Sequence, residues 1–176
     1  ALEDAQVLAD LGVDAIVLTT SGCATVVRDY GHLFTGTSRA DAATLVSERT
    51  RDISQVLVEL GLGDTVDVPR LRVAYHDACS MQHGLRLREA PRQLLRDAGF
   101  EILEVPEGHI CCGSAGTYNM LRPVMADELQ RRKAQHIGSV QPDVVAAGNI
   151  GCIEQIAAAI QPPVIHTVEL LDWATG

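Results

Sequence analysis

Short apolar segments alternate with longer amphipathic segments along most of the chain. The apolar segments, three to six residues long, are typical of buried strands, and the amphipathic ones are typical of helices. The predicted strands are Asp14–Thr19, Leu71–Tyr75, Phe100–Val105, Asp143–Ala147 and Val164–His166. Strands separated by helices favour a parallel sheet that is covered on both faces. We therefore predict an α/β fold, with a parallel sheet flanked by helices.

The predicted helices have recognisable start and stop residues. Ser38 is a suitable N-cap for one long helix through Leu60, which Gly61 and Gly63 would end. Pro123 is well placed in the first turn of a helix that extends to about Ile137. The other helices are predicted at residues 2–11, from about 23, at 91–98, at 152–160 and at 168–173.

The predicted architecture is Rossmann-like, but it lacks the sequence signals of a nucleotide site. No Gly-x-Gly-x-x-Gly sequence follows the first strand, and the chain has no Gly-Lys-Ser/Thr phosphate-binding sequence. A nucleotide-binding version of this fold is therefore not supported.

An internal repeat relates the beginning and the end of the chain. Ala5-Gln6 recurs as Ala134-Gln135, and the segment from Asp14 to Gly22-Cys23 recurs from Asp143 to Gly151-Cys152, each pair 129 positions apart. We predict that residues 1–64 are the C-terminal part of a truncated first repeat and that residues 65–176 form a complete second one. Residues 61–70, rich in Gly and Asp, are the predicted linker, and the start at Ala1 rather than Met suggests a fragment.

Composition and charge exclude several classes of protein. Apolar residues make up 47% of the 176 residues, enough for a sizeable core, and the net charge of −9 argues against a nucleic-acid partner. Two basic clusters, Arg86–Arg96 and Arg131–Lys133, are interpreted as solvated helix faces. No apolar stretch reaches the roughly 20 residues that a membrane span needs.

Four of the five cysteines follow predicted strands. Cys79 follows the second strand, Cys111 and Cys112 follow the third, and Cys152 follows the fourth. Because the carboxyl ends of parallel strands share one edge of a sheet, the four thiols are expected to converge there. Soft thiolates are the preferred ligands of iron–sulfur clusters and also suit zinc.

Neighbouring residues fit a site at these cysteines. Gly113 and Gly151 would leave room for the backbone to approach a bulky inorganic group, and a helix starting at Cys152 would direct N–H groups at it. His76 is a candidate ligand or donor to sulfur, or a cap of its strand, and Asn149 is a candidate donor or a turn residue.

The remaining candidates have weaker signals. The lone Cys23 is expected to be buried in the core. His83 and Tyr118 are candidates to line the pocket, and Asp77 lies beside His76. Ordinary roles are expected for His32, His136 and His166.

Three motifs together resemble a known family. They are His-Asp-Ala-Cys at 76–79, Cys-Cys-Gly-Ser-Ala-Gly-Thr-Tyr at 111–118 and Gly-Asn-Ile-Gly-Cys at 148–152. They resemble the cysteine-rich CCG domain found in heterodisulfide reductases, in lactate-utilisation proteins and, with the greatest likeness, in the iron–sulfur subunits of glycolate oxidases. The likeness covers most of the chain and is strongest over residues 71–173.

The resemblance implies a [4Fe–4S] cluster bound by Cys79, Cys111, Cys112 and Cys152, with Gly113, Gly151, Asn149 and His76 beside it. It also implies an electron-transfer subunit that passes electrons from the flavin-containing subunits of a glycolate oxidase to a quinone or another acceptor. In the heterodisulfide reductase branch a further cysteine stands where this chain has Asn149, so the cluster type stays open. The expected location is the cytoplasm, with peripheral attachment at the inner face of the membrane through the complex as an alternative.

Two alternatives remain open from the residues alone. Four thiolates also satisfy tetrahedral zinc in a structural module that docks subunits, although the ligand spacing is wide for such a module. Thiol–disulfide chemistry at Cys111 and Cys112 is the other alternative.

Overall fold

The structure, a computed structural model, describes residues 2–176; Ala1, the first residue of the predicted truncated repeat, lies outside them. The elements alternate between helix and strand as the sequence pattern predicts, and the parallel α/β class is confirmed. The helices are α1 Leu2–Asp10, α2 Ser21–Arg28, α3 Tyr30–Leu33, α4 Ala40–Arg49, α5 Ile53–Leu60, α6 Glu89–Asp97, α7 Tyr118–Leu121, α8 Pro123–Ser139, α9 Ile150–Ala157 and α10 Thr167–Thr175. The strands are β1 Ile16–Leu18, β2 Thr50–Asp52, β3 Arg72–His76, β4 Glu101–Leu103, β5 Val144–Ala147 and β6 Val164–His166, and a π-helix spans Ser80–Leu85.

Four strands form the main sheet in the order β4-β3-β5-β6. All neighbouring pairs are parallel, with Val73 opposite Ile102 on one side and opposite Val144 on the other. The strand β3 is thus central, and the loops that leave the carboxyl ends of β3, β4 and β5 share one edge of the sheet.

The two faces of this sheet pack against different helices because side chains alternate along each strand. Val73, Tyr75 and Ala146 lie in a core with residues of α6 and α10, including Leu95 and Leu171. Facing the other way, alternate strand residues pack with the side chains of α8 and α9. This second core contains Cys112 and Cys152, which places the cysteine loops on the α8–α9 side.

A second, two-stranded parallel sheet joins β1 to β2. It corresponds to the β5–β6 pair: α2 begins at Ser21 and α9 at Ile150, the offset found in the sequence repeat. The two regions contact each other directly, through Ser21 N–H donating to the Gly148 carbonyl at 3.0 Å and through His166 Nε2, which lies 2.7 Å from the Thr19 carbonyl oxygen. The division into domains at residues 64 and 65 stays a prediction.

The long helix predicted from Ser38 to Leu60 is wrong. It is two helices, α4 and α5, separated by β2, whose residues pair with β1. Asp52 caps α5, since its carboxylate accepts from Ser54 N–H at 2.9 Å and Gln55 Oε1 accepts from Asp52 N–H at 3.1 Å. A three-residue strand between two amphipathic helices leaves no visible break in periodicity. The short helices α3 and α7 and the π-helix were also not predicted.

No helix within residues 2–176 is both long enough and apolar enough to cross a membrane.

Candidate metal centre

The four cysteines that follow strands meet at one edge of the main sheet. Cys79 follows β3 and precedes the π-helix, Cys111 and Cys112 lie in the loop after β4, and Cys152 lies in the first turn of α9 after β5. Their thiols contact one another in the order Cys79, Cys111, Cys112, Cys152. All are free thiols, so the edge carries four sulfurs available as ligands.

His76 adds a nitrogen to this group of sulfurs. It is the last residue of β3 and is only 2% exposed, and its Nε2 has no hydrogen-bond partner. A ring nitrogen of His76 and the sulfurs of Cys112 and Cys152 lie within 4.8 Å of one another. A buried nitrogen without a partner costs free energy unless a ligand or a proton donor satisfies it. The geometry therefore fits a bound cation.

The thiols are close enough to share protons. Hydrogen bonds from Cys112, the larger cause, and from Cys79 lower the pKa of Cys111 to about 2. A hydrogen bond from Cys112 also lowers the pKa of Cys152 to about 5. The same contacts, together with burial, raise the pKa values of Cys79 and Cys112. Because sulfur ligands bind as thiolates, a soft cation bound here would release the protons that these thiols share.

Two N–H groups donate to the sulfurs that are most easily ionised. Gly113 N–H donates to Cys111 Sγ at 3.3 Å, and the side-chain amide of Asn149 donates to Cys152 Sγ at 3.3 Å. Asn149 is the N-cap of α9, where its side-chain oxygen accepts no cap bond, and its Nδ2 amide group is the donor to sulfur. Such bonds stabilise thiolate charge and tune a bound metal group.

The predicted site glycines lie where the cysteine loops pack closely. Gly113 has φ +98°, and a Cβ there would lie 2.4 Å from the Ala126 carbonyl oxygen. A Cβ on Gly151 would lie 2.7 Å from Ser114 Oγ. Both glycines therefore permit close packing of the cysteine loops against α8 and against each other, and their role beside an inorganic group stays a prediction.

A buried ion pair holds the loop that leads to Cys79. Asp77 accepts from both terminal nitrogens of Arg92, at 2.6 and 2.5 Å, and the Arg92 guanidinium also contacts Glu104 and lies 4.8 Å from the Tyr75 ring centroid. The Gln82 side chain donates to the carbonyls of Asp77 and of Gly108, which joins the Cys79 loop to the Cys111 loop.

Contrary to the prediction, two of the basic residues do not lie on solvated helix faces. Arg92 is 7% exposed and Lys133 is 1% exposed, whereas Arg131 and Arg132 are at the surface as expected. Arg92 and Lys133 lie on the apolar side of their helices, and this position in the sequence pattern indicates burial.

The other candidates lie apart from the sulfurs or at the surface. Cys23 is exposed, which contradicts the expectation that it is a core residue. His83 and Tyr118 are exposed as well. His136 contacts Glu107, and His166 caps α10, where its Nδ1 accepts from Val168 N–H. His136 and His166 thus have structural roles.

The chain is similar to known proteins whose names refer to a cysteine-rich domain or to an iron-sulfur subunit. Residues 73–157 match the model of the cysteine-rich domain family named CCG. The chain is 34% identical over 166 residues to the glycolate oxidase iron-sulfur subunit of Escherichia coli (strain K12), covering 94% of this chain and 41% of that protein. It is 30% identical to lactate utilization protein A of Anoxybacillus flavithermus, covering 89% of this chain and 69% of that protein.

These matches show the family. The chain belongs to the family of proteins with the cysteine-rich CCG domain, which confirms the resemblance found in the motifs. It spans about 40% of the glycolate oxidase subunits of Escherichia coli and of Bacillus subtilis, the latter described as probable, and about two thirds of the lactate utilization proteins.

Proposed function

We propose that this chain is the cysteine-motif part of an iron–sulfur electron-transfer subunit in an oxidoreductase complex that acts on a 2-hydroxy acid. The observation that supports this most is the meeting of four free thiols and the buried, unpartnered nitrogen of His76 at one edge of the sheet. Soft sulfur donors in this number suit an iron–sulfur cluster.

The proposed ligands are Cys79, Cys111, Cys112 and Cys152. A cluster of this kind supplies one-electron oxidation and reduction when it is bound. Gly113 and Asn149 would stabilise sulfur charge through their N–H groups, and His76 would supply a further ligand or a hydrogen bond to sulfur. The number of thiolates fits a [4Fe–4S] cluster.

The exposure of the sulfurs supports an electron-transfer role. Cys112 and Cys152 are buried, Cys111 is half-buried, and Cys79 is exposed. The site is thus closed toward the core and open at Cys79, where a redox partner could approach. The nearest acid in sequence, Asp77, is held by Arg92 and is therefore not available as a general base.

The identity of the substrate and partners is inferred from relatives. The names of those relatives, glycolate oxidase iron-sulfur subunit and lactate utilization protein A, refer to two 2-hydroxy acids. We infer that flavin-containing subunits of the same complex deliver the electrons and that a quinone or another acceptor receives them. We also infer that residues 65–176 form the domain that holds the cluster, whereas residues 1–64 correspond to the C-terminal part of another repeat.

The test is reconstitution of the whole chain with iron and sulfide without oxygen. We expect bound iron and acid-labile sulfide in equal amounts, together with an EPR signal that appears or disappears on one-electron reduction. A chain that retains neither iron nor sulfide would refute the proposal.

A structural zinc site is the second candidate. His76, Cys112 and Cys152 lie within 4.8 Å of one another, and the sulfur of Cys111 contacts that of Cys112 as a fourth donor, which matches the number of ligands of tetrahedral zinc. Metal analysis of the chain purified without oxygen separates the two: one zinc per chain without sulfide favours the zinc module, and iron with sulfide favours the cluster.

A further inference from the structure

Three cations follow one another on α8, and only the third is buried. Arg131 and Arg132 have side chains that are 64% and 50% exposed, whereas Lys133 is 1% exposed. Lys133 Nζ donates to the carbonyl oxygen of Glu107 at 3.1 Å and lies 3.5 Å from that of Gly108. These two residues begin the loop that carries Cys111 and Cys112.

A buried ammonium is costly unless nearby charge compensates it. Burial lowers the pKa of Lys133, and the negative charges of Cys112, Asp77, Cys111 and Cys152 oppose this lowering. Asp77 is already paired with Arg92 through both of its oxygens. Ile137, on the same buried face of α8, packs in one core with Cys112 and Cys152, so Lys133 lies on the side of the helix that faces the sulfur group.

A purely structural role does not require a charge here. Arg132 and His136 already hold the Glu107 side chain, at 2.6 and 2.7 Å. A neutral amide at position 133 would carry a smaller desolvation cost than an ammonium. A fully buried lysine at this position therefore indicates that its positive charge has a role.

We propose that Lys133 is a positioning residue whose buried ammonium stabilises negative charge on the sulfur group of Cys111, Cys112 and Cys152 and thereby raises the reduction potential of the iron–sulfur group bound there. This inference rests on the proposed function. Reduction adds one electron and one negative charge, with no bond formed or broken, so a fixed positive charge nearby favours the reduced state.

The test compares Lys133→Gln, Lys133→Met and Lys133→Arg with the wild-type chain, each reconstituted without oxygen. Glutamine keeps a donor for the two carbonyls but removes the charge, methionine removes both, and arginine keeps the charge. Arg131→Gln is the matched control, because it removes a neighbouring charge that pairs with Glu128 at the surface. The reduction potential is measured by EPR during titration with dithionite.

We expect the equilibrium constant for reduction to fall about tenfold in both Lys133→Gln and Lys133→Met, a shift of about 59 mV for one electron. Lys133→Arg and Arg131→Gln should stay close to wild type. If Lys133→Gln holds its full iron and sulfide and its potential is unchanged, the inference is refuted and the proposed function is not. If the wild-type chain binds no cluster, the proposed function itself fails.

A second measurement covers variants that do not retain the cluster. Iron and sulfide contents after reconstitution are compared between Lys133→Gln, which removes the charge, and Lys133→Arg, which keeps it. Loss of the cluster in Lys133→Gln with retention in Lys133→Arg supports the role of the charge, whereas equal loss in both variants would overturn it.

Discussion

Cys23 and Cys152 occupy matching positions in two regions of the molecule. The first region contains the β1–β2 sheet and α2, and the second contains the main sheet and α9. Each follows a glycine in the first turn of a helix, α2 or α9, and each helix follows a parallel strand, β1 or β5. Cys152 is buried and its thiol contacts that of Cys112, whereas Cys23 is exposed beside Val26 and Tyr30. The strand–loop–cysteine–helix unit by itself therefore does not make a metal site.

The difference comes from the neighbouring strands. β5 lies beside β3 in the main sheet, and the loops after β3 and β4 bring Cys79, Cys111 and Cys112 to Cys152. The strand β1 is paired with β2 in the part of the chain that the structure describes. Within residues 2–176, the loops of adjacent strands that bring other thiols to a cysteine are those of the main sheet.

The first region supports the site in another way. Ser21 and Ser80 hydroxyls lie 2.7 Å apart, and Thr25 donates to the Ser80 carbonyl at 3.4 Å. A Cβ on Gly84 would lie 2.6 Å from Thr25 Oγ1. The helix α2 thus packs closely on the π-helix and shapes the segment that follows Cys79.

The largest expected effect tests the two matched cysteines directly. Cys152→Ser should lower the iron and sulfide content of the reconstituted chain at least about tenfold, because even partners outside the ligand set affect metal affinity by 10–100-fold. Cys23→Ser should leave both contents unchanged. Equal loss in the two variants, measured by iron and sulfide assay, would show that both regions hold metal.

The next effect concerns the buried ion pair of the second region. Arg92→Met leaves the Asp77 carboxylate buried without its partner and should lower the free energy of unfolding by about 3–5 kcal/mol. Arg96→Met is the control, since Arg96 forms an exposed pair with Glu89 at 3.5 Å and should cost at most about 1 kcal/mol. Urea unfolding of the two variants measures the difference, and similar values would argue against a structural role for the Asp77 pair.

A pH effect is expected at the loop that precedes Cys111. Hydrogen bonds and charge from Arg132, together with His136, lower the pKa of Glu107 from 4.5 to about 2. Because the pKa is lower in the folded state, the ionised Glu107 carboxylate stabilises the fold above pH 4.5, and this contribution disappears as the pH falls toward 2. The stability difference between wild type and Glu107→Gln should therefore be present at pH 5 and shrink toward zero near pH 2.

Urea midpoints between pH 5 and pH 2 measure this difference. Glu154→Gln, at an exposed position on α9, is the matched control. A difference between wild type and Glu107→Gln that stays constant across this range would contradict the assignment.

The smallest effect separates the two matched glycines. An alanine at Gly22 would place its Cβ 3.4 Å from Asn149 Oδ1, whereas one at Gly151 would meet Ser114 Oγ at 2.7 Å. Glycine to alanine in a helix gains about 0.5–1 kcal/mol where there is room. Gly22→Ala should raise the free energy of unfolding by that amount, and Gly151→Ala should not raise it, as measured by thermal unfolding. An equal rise in both variants would show that the cysteine loops are less closely packed than described.

Much of the layout was visible in the chain itself. The cysteine motifs, the apolar signals of five strands and the repeat depend on local residue types and spacing, and these place the thiols at the ends of strands whatever the details of packing. The short strand β2 was missed because two amphipathic helices on either side continue the same periodicity across it. Its place is decided by pairing with β1, a contact between residues about 34 positions apart.

The sequence by itself determined which residues can hold a soft metal group and which sheet edge they reach, because thiol chemistry and strand order are properties of the chain. Only the tertiary structure decided that Cys23 is exposed and that Lys133 and Arg92 are buried. The reason is physical: burial and the charge around a group depend on which elements pack against it, and residues distant in sequence supply those elements.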